Sequence, residues 1–516
     1  MFVVELNREN FEYDVNSIVK AFYPETQVAV LTPASGEKKR AEYGDKVRIR
    51  VEFEENGAEL EMDGRSLRWE APAVSSGRAA DAESDGSGDA EAGAEESSKR
   101  AKAYKDGFKR FLYELLVRET GKELPWGNLT GIRPTKIAYG MLEQGTDEEQ
   151  IVEYYQKEHF VSGEKARLSV DIAKRERRLL SQLNCEEGYS LYIGIPFCPT
   201  TCLYCSFTSF PIGGCRGLTE PYVDCLIKEM EYVAEQYGHR APDTVYIGGG
   251  TPTTLEPKQL NRLLGRLREL FDLDAVKEFT VEAGRADSIT EEKLRVLRQH
   301  GVTRISVNPQ TMKQETLDII GRRASVAQVE EAYAMARRMG FDNINMDLIL
   351  GLPGESEEDV QRTVDRVAEL APDSLTVHSL AIKRASKLNR WILENGDVAG
   401  ARYAMLRNTD ETMKIAAEGA RRLGLLPYYL YRQKNMSGNF ENVGYAKEDK
   451  AGLYNILIME EVQTIVALGA GSISKRVYPD GRIERCENVK EVALYIEKID
   501  EMIGRKRELF MTKESE

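Results

Sequence analysis

The sequence predicts an α/β protein whose largest part is a partial (β/α)6, TIM-like barrel. Three observations carry this. Between residues 190 and 380, short apolar runs alternate with amphipathic stretches of helical period, as in βαβ units around a parallel sheet. The runs number six, too few for a closed eight-stranded barrel, so a partial barrel or an open doubly wound sheet is expected. Cysteine, glycine and carboxylate motifs follow these runs, and parallel α/β folds bind ligands at the carboxyl ends of their strands.

In chain order, residues 1–72 read as a small N-terminal α+β module. Val28–Leu31, Lys46–Glu54 and Ala58–Met62 are strand-like, and residues 10–22 are a helix. Residues 73–99 contain no aromatic side chain and are dominated by Ala, Gly, Ser and acids. Such a segment buries too little apolar surface to offset the entropy of ordering, and a disordered acidic linker is expected. Residues 100–186 form a helical segment, with Tyr104, Phe108, Phe111, Leu112, Leu115 and Leu116 on one face. Within it, LPWGNLTGIRPTKI (124–137) carries Arg133 and Lys136, which either meet a carboxylate or cap a helix in solvent.

The core spans residues 187–385. Its strands are expected at 191–196, 243–247, 277–282, 303–308, 343–349 and 373–379. Helices are expected at 219–236, 257–271, 290–300, 325–339 and 356–370. Residues 386–516 read as a mixed α/β C-terminal domain covering the barrel mouth, where it would exclude water and oxygen. It has a helix at 402–423, strands at 427–432 and 463–468, and a terminal helix from about 488. Gly469-Ala470-Gly471 lacks the third glycine of a dinucleotide fingerprint and reads as a turn.

The net charge of −14, from 71 Lys+Arg against 85 Asp+Glu, argues against a general nucleic-acid binder. It leaves room for an anionic small substrate in a local basic pocket. Met1–Leu6 lacks the basic start and long apolar run of a secretory signal. No apolar stretch approaches the roughly 18 residues that span a membrane. A cytoplasmic protein without membrane insertion is expected. The seven cysteines show no disulfide framework, and in a reducing compartment they stay free for metal or redox chemistry.

Three of them carry the strongest signal. In LYIGIPFCPTTCLYCSF (191–207), Cys198, Cys202 and Cys205 sit at C-x3-C-x2-C spacing after the first barrel strand. Zinc would want a fourth close ligand, and His159, His239, His300 and His378 are all distant in sequence. Three thiolates leave one iron of a 4Fe-4S cluster open, whereas electron-transfer clusters take four. The open iron can chelate the amino and carboxylate groups of S-adenosylmethionine (SAM), whose reductive cleavage releases a 5′-deoxyadenosyl radical. Cys225, among Val223, Leu226 and Ile227, reads as core, while Cys215 either approaches the cluster or does not.

Gly248-Gly249-Gly250-Thr251-Pro252 follows the second strand, where glycines let backbone approach a ligand. Glu282 ends the third strand, Gln310 follows the fourth and Asp347 lies in the fifth. Arg322 follows Gly321 ahead of a helix, where it meets either a SAM carboxylate or a neighbouring acid.

These segments resemble the oxygen-independent coproporphyrinogen III dehydrogenase family, of the radical SAM superfamily. The carriers are YIGIPFCPTTCLYC, GGGTPT, VEAGR, NPQT and NMDLILGLPG. LPWGNLTGIRPTKI and YYLYRQKNM are similar to its long Firmicute-type branch. The resemblance implies oxidative decarboxylation of two propionates of coproporphyrinogen III, giving protoporphyrinogen IX. It implies a cluster on Cys198, Cys202 and Cys205, and SAM contacts from Tyr192, Tyr204, Gly249, Gly250, Thr251, Glu282, Gln310, Arg322 and Asp347. A tetrapyrrole substrate and an electron donor such as a flavodoxin or ferredoxin are implied as partners. Two positions depart from the family pattern: Gly194 stands for a histidine and Phe207 for a fourth cysteine. A haem-binding chaperone of the same family, with Cys486 or Tyr445 as haem ligand, is one alternative, and another radical SAM reaction on a tetrapyrrole is a second. Arg384, Arg432 and Lys434 could pair with substrate propionates or stay in solvent.

Overall fold

A computed structural model describes residues 1–24, 26–72, 89–131, 133–383, 386–394, 406, 408–433 and 440–511. The chain forms two compact units: Met1–Ile132 with Thr146–Arg167 and Gly438–Phe440, and Arg133–Gly145 with Leu168–Ser437 and Glu441–Glu516.

The first unit holds a five-stranded sheet in the order β2-β1-β3-β4-β5. The strands are β1 (Phe2–Leu6), β2 (Val28–Leu31), β3 (Val47–Phe53), β4 (Gly57–Met62) and β5 (Arg65–Glu70). Helix α1 (Glu12–Phe22) buries Val15, Ile18, Val19 and Phe22, and helix α2 (Glu37–Tyr43) follows β2. Strands β1 and β5 were not expected. β1 is almost uniformly apolar and buried, so it shows no alternation to read.

Helix α3 (Asp89–Thr120) corrects the linker, since residues 89–99 belong to its first turns and residues 73–88 lie outside the described ones. The sequence DAEAGAEESSK is rich in Ala and Glu, both strong helix formers, and it leads into a face that docks through Phe108, Leu112 and Leu116. The expected helical segment 100–186 does not stay together. Helix α5 (Glu148–His159) belongs to the first unit, whereas α4 (Thr135–Glu143) and most of α6 (Gly163–Leu180) belong to the second.

The second unit is built on an eleven-stranded sheet. Six parallel strands lie side by side in chain order: β6 (Tyr189–Ile195), β9 (Thr244–Gly249), β10 (Glu278–Glu282), β11 (Arg304–Ser306), β12 (Ile344–Leu350) and β13 (Ser374–Ser379). A two-residue pair, β7 (Phe197–Cys198) and β8 (Phe210–Pro211), sits between the first two. Helices α7 (Thr219–Gln236), α8 (Pro257–Leu270), α9 (Glu291–Gln299), α10 (Gln314–Ile319), α11 (Val326–Arg338) and α12 (Glu357–Leu370) fill the crossovers. Strand order that never reverses is the winding of a partial (β/α)6 barrel; a doubly wound sheet reverses at a switch point. Ser325 and Ser356 cap α11 and α12 through reciprocal bonds with Gln328 and Asp359, which is why those starts were legible.

Among the described C-terminal residues, the strands join the barrel sheet at both edges, while Leu388 and Leu406 pack on Leu203 of the cysteine loop. β14 (Leu426–Tyr431) and β15 (Asn442–Ala446) add antiparallel to β13. β16 (Thr464–Leu468) adds parallel to β6, followed by β17 (Ile473–Val477) and β18 (Ile483–Glu487). The edges of an open six-stranded sheet carry unpaired amides and carbonyls, and the apolar run TIVAL satisfies those of β6. The helix expected at 402–423 is described over Asp410–Arg422. The terminal helix begins at Val492, because Asn488 is drawn into a buried hydrogen-bond cluster instead. Among the described residues, no helix is long and apolar enough to cross a membrane.

Candidate active site

The first barrel strand runs out at Ile195 into a loop held from several sides. The Leu203 amide donates to the Ile320 carbonyl at 2.9 Å, and the Leu203 carbonyl accepts from the Leu388 amide at 2.8 Å. The Thr200 hydroxyl donates to the Gly321 carbonyl at 2.9 Å. Cys198 and Cys202 are buried on this loop and Cys205 is half-buried. Burial pushes the Cys198 thiol up to about 11, and the neighbouring Cys205 and Cys202 add to the rise. A thiol this reluctant to ionise alone ionises on a cation, since coordination removes the proton outright. Among the described residues, no three His, Cys, Asp or Glu side chains close on a single ion. Ligands of a 4Fe-4S cluster each take a different iron and need not do so.

The glycine run after β9 folds against this loop. The Gly250 amide donates to the Ile195 carbonyl at 2.8 Å and the Thr251 amide to the Phe197 carbonyl at 2.7 Å. A Cβ on Gly250 would fall 2.6 Å from the Phe197 carbonyl oxygen. The amides of Gly250 and Thr251 are thus used to fix the cysteine loop rather than left for a ligand. Thr251 also sets its hydroxyl 3.4 Å from the Cys198 sulfur. Gly249 takes φ +105°, a backbone only glycine adopts readily.

Around the rim, Glu282 ends β10 and accepts a 2.5 Å hydrogen bond from the Tyr246 hydroxyl. Burial pushes its carboxyl up to about 7. Tyr192 stacks with Tyr246 and Tyr454, at ring separations of 6.2 and 6.1 Å. Gln310 follows β11 with φ +68°, a strained conformation for this residue, held by bonds to both backbone sides of β12 at Asp347 and Ile349. Asp347 on β12 accepts from Asn345 at 2.7 Å and lies 3.9 Å from the His378 imidazole. Burial works to raise its carboxyl, but His378 and Asn345 outweigh it and hold it below the usual range. Arg322 donates to the carbonyls of Asn308 at 2.5 Å and Gly284 at 3.3 Å, and to the Tyr204 hydroxyl at 3.3 Å.

Polar atoms of four residues are buried without a partner, three just after or at the end of β11 and one between α10 and α11: Ser306 Oγ, Asn308 Oδ1, Gln310 Oε1 and Arg322 Nε. Native proteins rarely leave such atoms unpaired, and a polar ligand is one way they are completed. Acceptors, a guanidinium and stacked tyrosines form a donor set that fits an amino-acid nucleoside such as SAM beside three thiols.

The structure also places residues that sequence reasoning missed. Tyr246 and Tyr454 gave no signal, being one strand aromatic and one helix aromatic among many. Arg285 stands three residues after Glu282 in VEAGR and reaches the Cys202 sulfur at 3.5 Å. Of the two departures, the Gly194 carbonyl accepts from the Tyr222 hydroxyl at 2.7 Å, and a Cβ there would lie 3.2 Å from the Leu468 carbonyl oxygen. Phe207 is 71% exposed, with the Lys383 ammonium 5.9 Å from its ring centre.

Arg133 is structural, donating to the Met459 carbonyl at 2.7 Å and pairing with Glu461 at 3.5 Å, while Lys136 is exposed. Arg432 is buried just after β14; Arg384 and Lys434 lie outside the described residues. Tyr445 and Cys486 are buried within β15 and β18, and Cys225 is buried on α7. Cys215 sits in a short turn, its amide donating to the Ile212 carbonyl.

Comparison with known proteins places the chain in a family. The radical SAM superfamily model matches residues 192–367. The oxygen-independent coproporphyrinogen-III oxidase-like protein HemZ of Bacillus subtilis is 40% identical over 397 residues, 76% of this chain and 78% of that one. The heme chaperone HemW of Lactococcus lactis is 37% identical over 194 residues, 38% of this chain and 49% of that one. Among solved structures, the Escherichia coli coproporphyrinogen III oxidase HemN, a radical SAM enzyme, is 25% identical. That alignment covers 63% of this chain and 72% of that one, with a TM-score of 0.47. The cofactors are those of the superfamily, a 4Fe-4S cluster and SAM. The chain belongs to the oxygen-independent coproporphyrinogen III oxidase-like family of radical SAM enzymes.

Proposed function

We propose that the protein decarboxylates two propionates of coproporphyrinogen III to vinyl groups, giving protoporphyrinogen IX. Cys198, Cys202 and Cys205 would hold three of the four cluster irons, leaving the fourth for SAM, and the unpartnered polar atoms of the rim would receive the rest of that molecule. That juxtaposition of three thiols with an unfilled polar rim is the observation that carries the reading. When bound, the cluster and SAM supply reductive cleavage of the sulfonium C–S bond and a 5′-deoxyadenosyl radical.

The chain's own residues bind and orient. Arg322, fixed by two carbonyls, offers its remaining donor to the methionine carboxylate. Glu282, Gln310 and Asp347 offer acceptors to the amine, ribose and adenine. Tyr192 and Tyr204 present ring faces and hydroxyls to the same space, and Gly249, Gly250 and Thr251 hold the cysteine loop in register with it. With that radical available, each propionate would lose one β-hydrogen atom to it, one electron to an acceptor and its carboxylate as carbon dioxide. A flavodoxin or ferredoxin is the class of protein that supplies electrons to the cluster.

The test is an anaerobic reaction of cluster-reconstituted protein with coproporphyrinogen III, SAM and a strong reductant, read by mass spectrometry. The expected products are protoporphyrinogen IX and 5′-deoxyadenosine, both lost in Cys202→Ala. Formation of 5′-deoxyadenosine with unchanged porphyrinogen mass would contradict the substrate. Haem titration would then be the next step, because HemW relatives share this core.

A further inference from the structure

Two guanidinium groups approach Cys202, and their surroundings differ. Arg322 keeps an unpartnered Nε and spends its other donors on the Gly284 and Asn308 carbonyls and the Tyr204 hydroxyl. Arg285 is 3% exposed and uses every donor it has. Its Nε and Nη2 form a fork to Asp287 at 3.0 and 2.8 Å. Its second Nη2 hydrogen goes to the Thr200 hydroxyl at 3.1 Å. Its Nη1 hydrogens go to the Thr200 carbonyl at 3.2 Å and the Cys202 sulfur at 3.5 Å. A guanidinium has five N–H groups, and all five are assigned, one of them to the thiol. Arg285 therefore has nothing left with which to hold SAM or substrate, and its remaining chemistry is directed at the sulfur.

We propose that Arg285 is a positioning residue that hydrogen-bonds the Cys202 thiolate and raises the reduction potential of the cluster. The proposal rests on the cluster reading above. Reduction adds negative charge to the cluster, and a buried cation donating to one of its sulfurs stabilises the reduced form more than the oxidised. The Asp287 fork fixes the plane of the guanidinium, so the donor stays aimed as the charge changes. A lysine has three donors on a flexible stem and cannot reproduce the set.

The experiment reconstitutes the full chain, Arg285→Lys and Arg285→Gln, measures iron and sulfide, and titrates the cluster potentiometrically by electron paramagnetic resonance. In Arg285→Gln the reduced-to-oxidised ratio at fixed potential should fall about tenfold, a midpoint about 59 mV more negative for a one-electron couple. Arg285→Lys should move less, in the same direction. An unaltered midpoint in whichever variant loads overturns the proposal. So does failure of both variants to take up iron that the unmodified chain takes up, which would make Arg285 a tie for the loop alone. Failure of the unmodified chain to load is a different result, and it removes the cluster reading itself.

Discussion

Glu229 on α7 and the rim of the barrel are both polar clusters inside one folded unit, but they are finished differently. Glu229 and Lys506 are both fully buried and lie 2.6 Å apart. The Glu229 carboxylate also accepts from the Tyr495 hydroxyl at 2.6 Å, the Asn488 amide at 2.8 Å and the Gly469 backbone at 2.9 Å. Four acceptor positions meet four donors, so nothing is left for a ligand. At the rim, Ser306, Asn308, Gln310 and Arg322 each keep a buried atom without a partner. The completed cluster ties the Gly469-Ala470-Gly471 turn to α7, whereas the rim carries polar atoms with bonds still to make. Burial of charge alone does not mark function; at the rim, unpartnered polar atoms coincide with three thiols, and that coincidence does.

The largest way to break this contrast is Lys506→Met, which strands a buried carboxylate. Cofactor-free protein should lose about 3–5 kcal/mol in chemical denaturation. A loss below about 1 kcal/mol would mean that the Glu229 cluster is not a structural keystone.

At the rim the sign reverses. The folded state raises Glu282 from its ordinary 4.5 to about 7, so between those values the native protein binds the extra proton. Its contribution is therefore most favourable below about pH 4.5 and declines as pH rises to about 7. Glu282→Gln should flatten that dependence. Cofactor-free protein should gain on the order of 1–2 kcal/mol at pH 8, discounted for partial exposure to the cavity, and nothing at pH 4. Equal effects at the two pH values would contradict the assignment of the shift to burial.

Gln310→Gly should have the smallest effect on folding. It relieves a left-handed backbone worth about 1 kcal/mol, and cofactor-free stability should stay within about that amount. SAM affinity of the reconstituted protein should nevertheless weaken about tenfold, or about 1.4 kcal/mol. Unchanged affinity by equilibrium dialysis would remove Gln310 from the site.

The two clusters were also unequally legible in the sequence. The rim could be read because local patterns mark it: C-x3-C-x2-C, a glycine run, and acids ending apolar strands. The six barrel strands were read for the same reason, within a residue or two of their ends. The Glu229 cluster joins residues from α7, the β16–β17 turn and the last helices, and nothing local announces that Glu229 meets Lys506. Strands β15, β17 and β18 were missed because their partners are set by the open edges of the sheet, a tertiary fact. Arg285 lies in VEAGR with no local signal of a role, since its burial and its five acceptors exist only once two loops meet. The start of α3 was hidden by a composition that serves disorder and helix equally well.

The central claim is that the unfilled rim and the three-thiol loop form one cofactor site. Its most direct test adds SAM to the reduced, reconstituted protein and follows the cluster by electron paramagnetic resonance. The account predicts a changed cluster spectrum on SAM addition, a change lost in Cys202→Ala with the cluster itself and kept in the distant surface variant Lys228→Ala. A cluster that assembles on the cysteines but gives the same spectrum with and without SAM would contradict it.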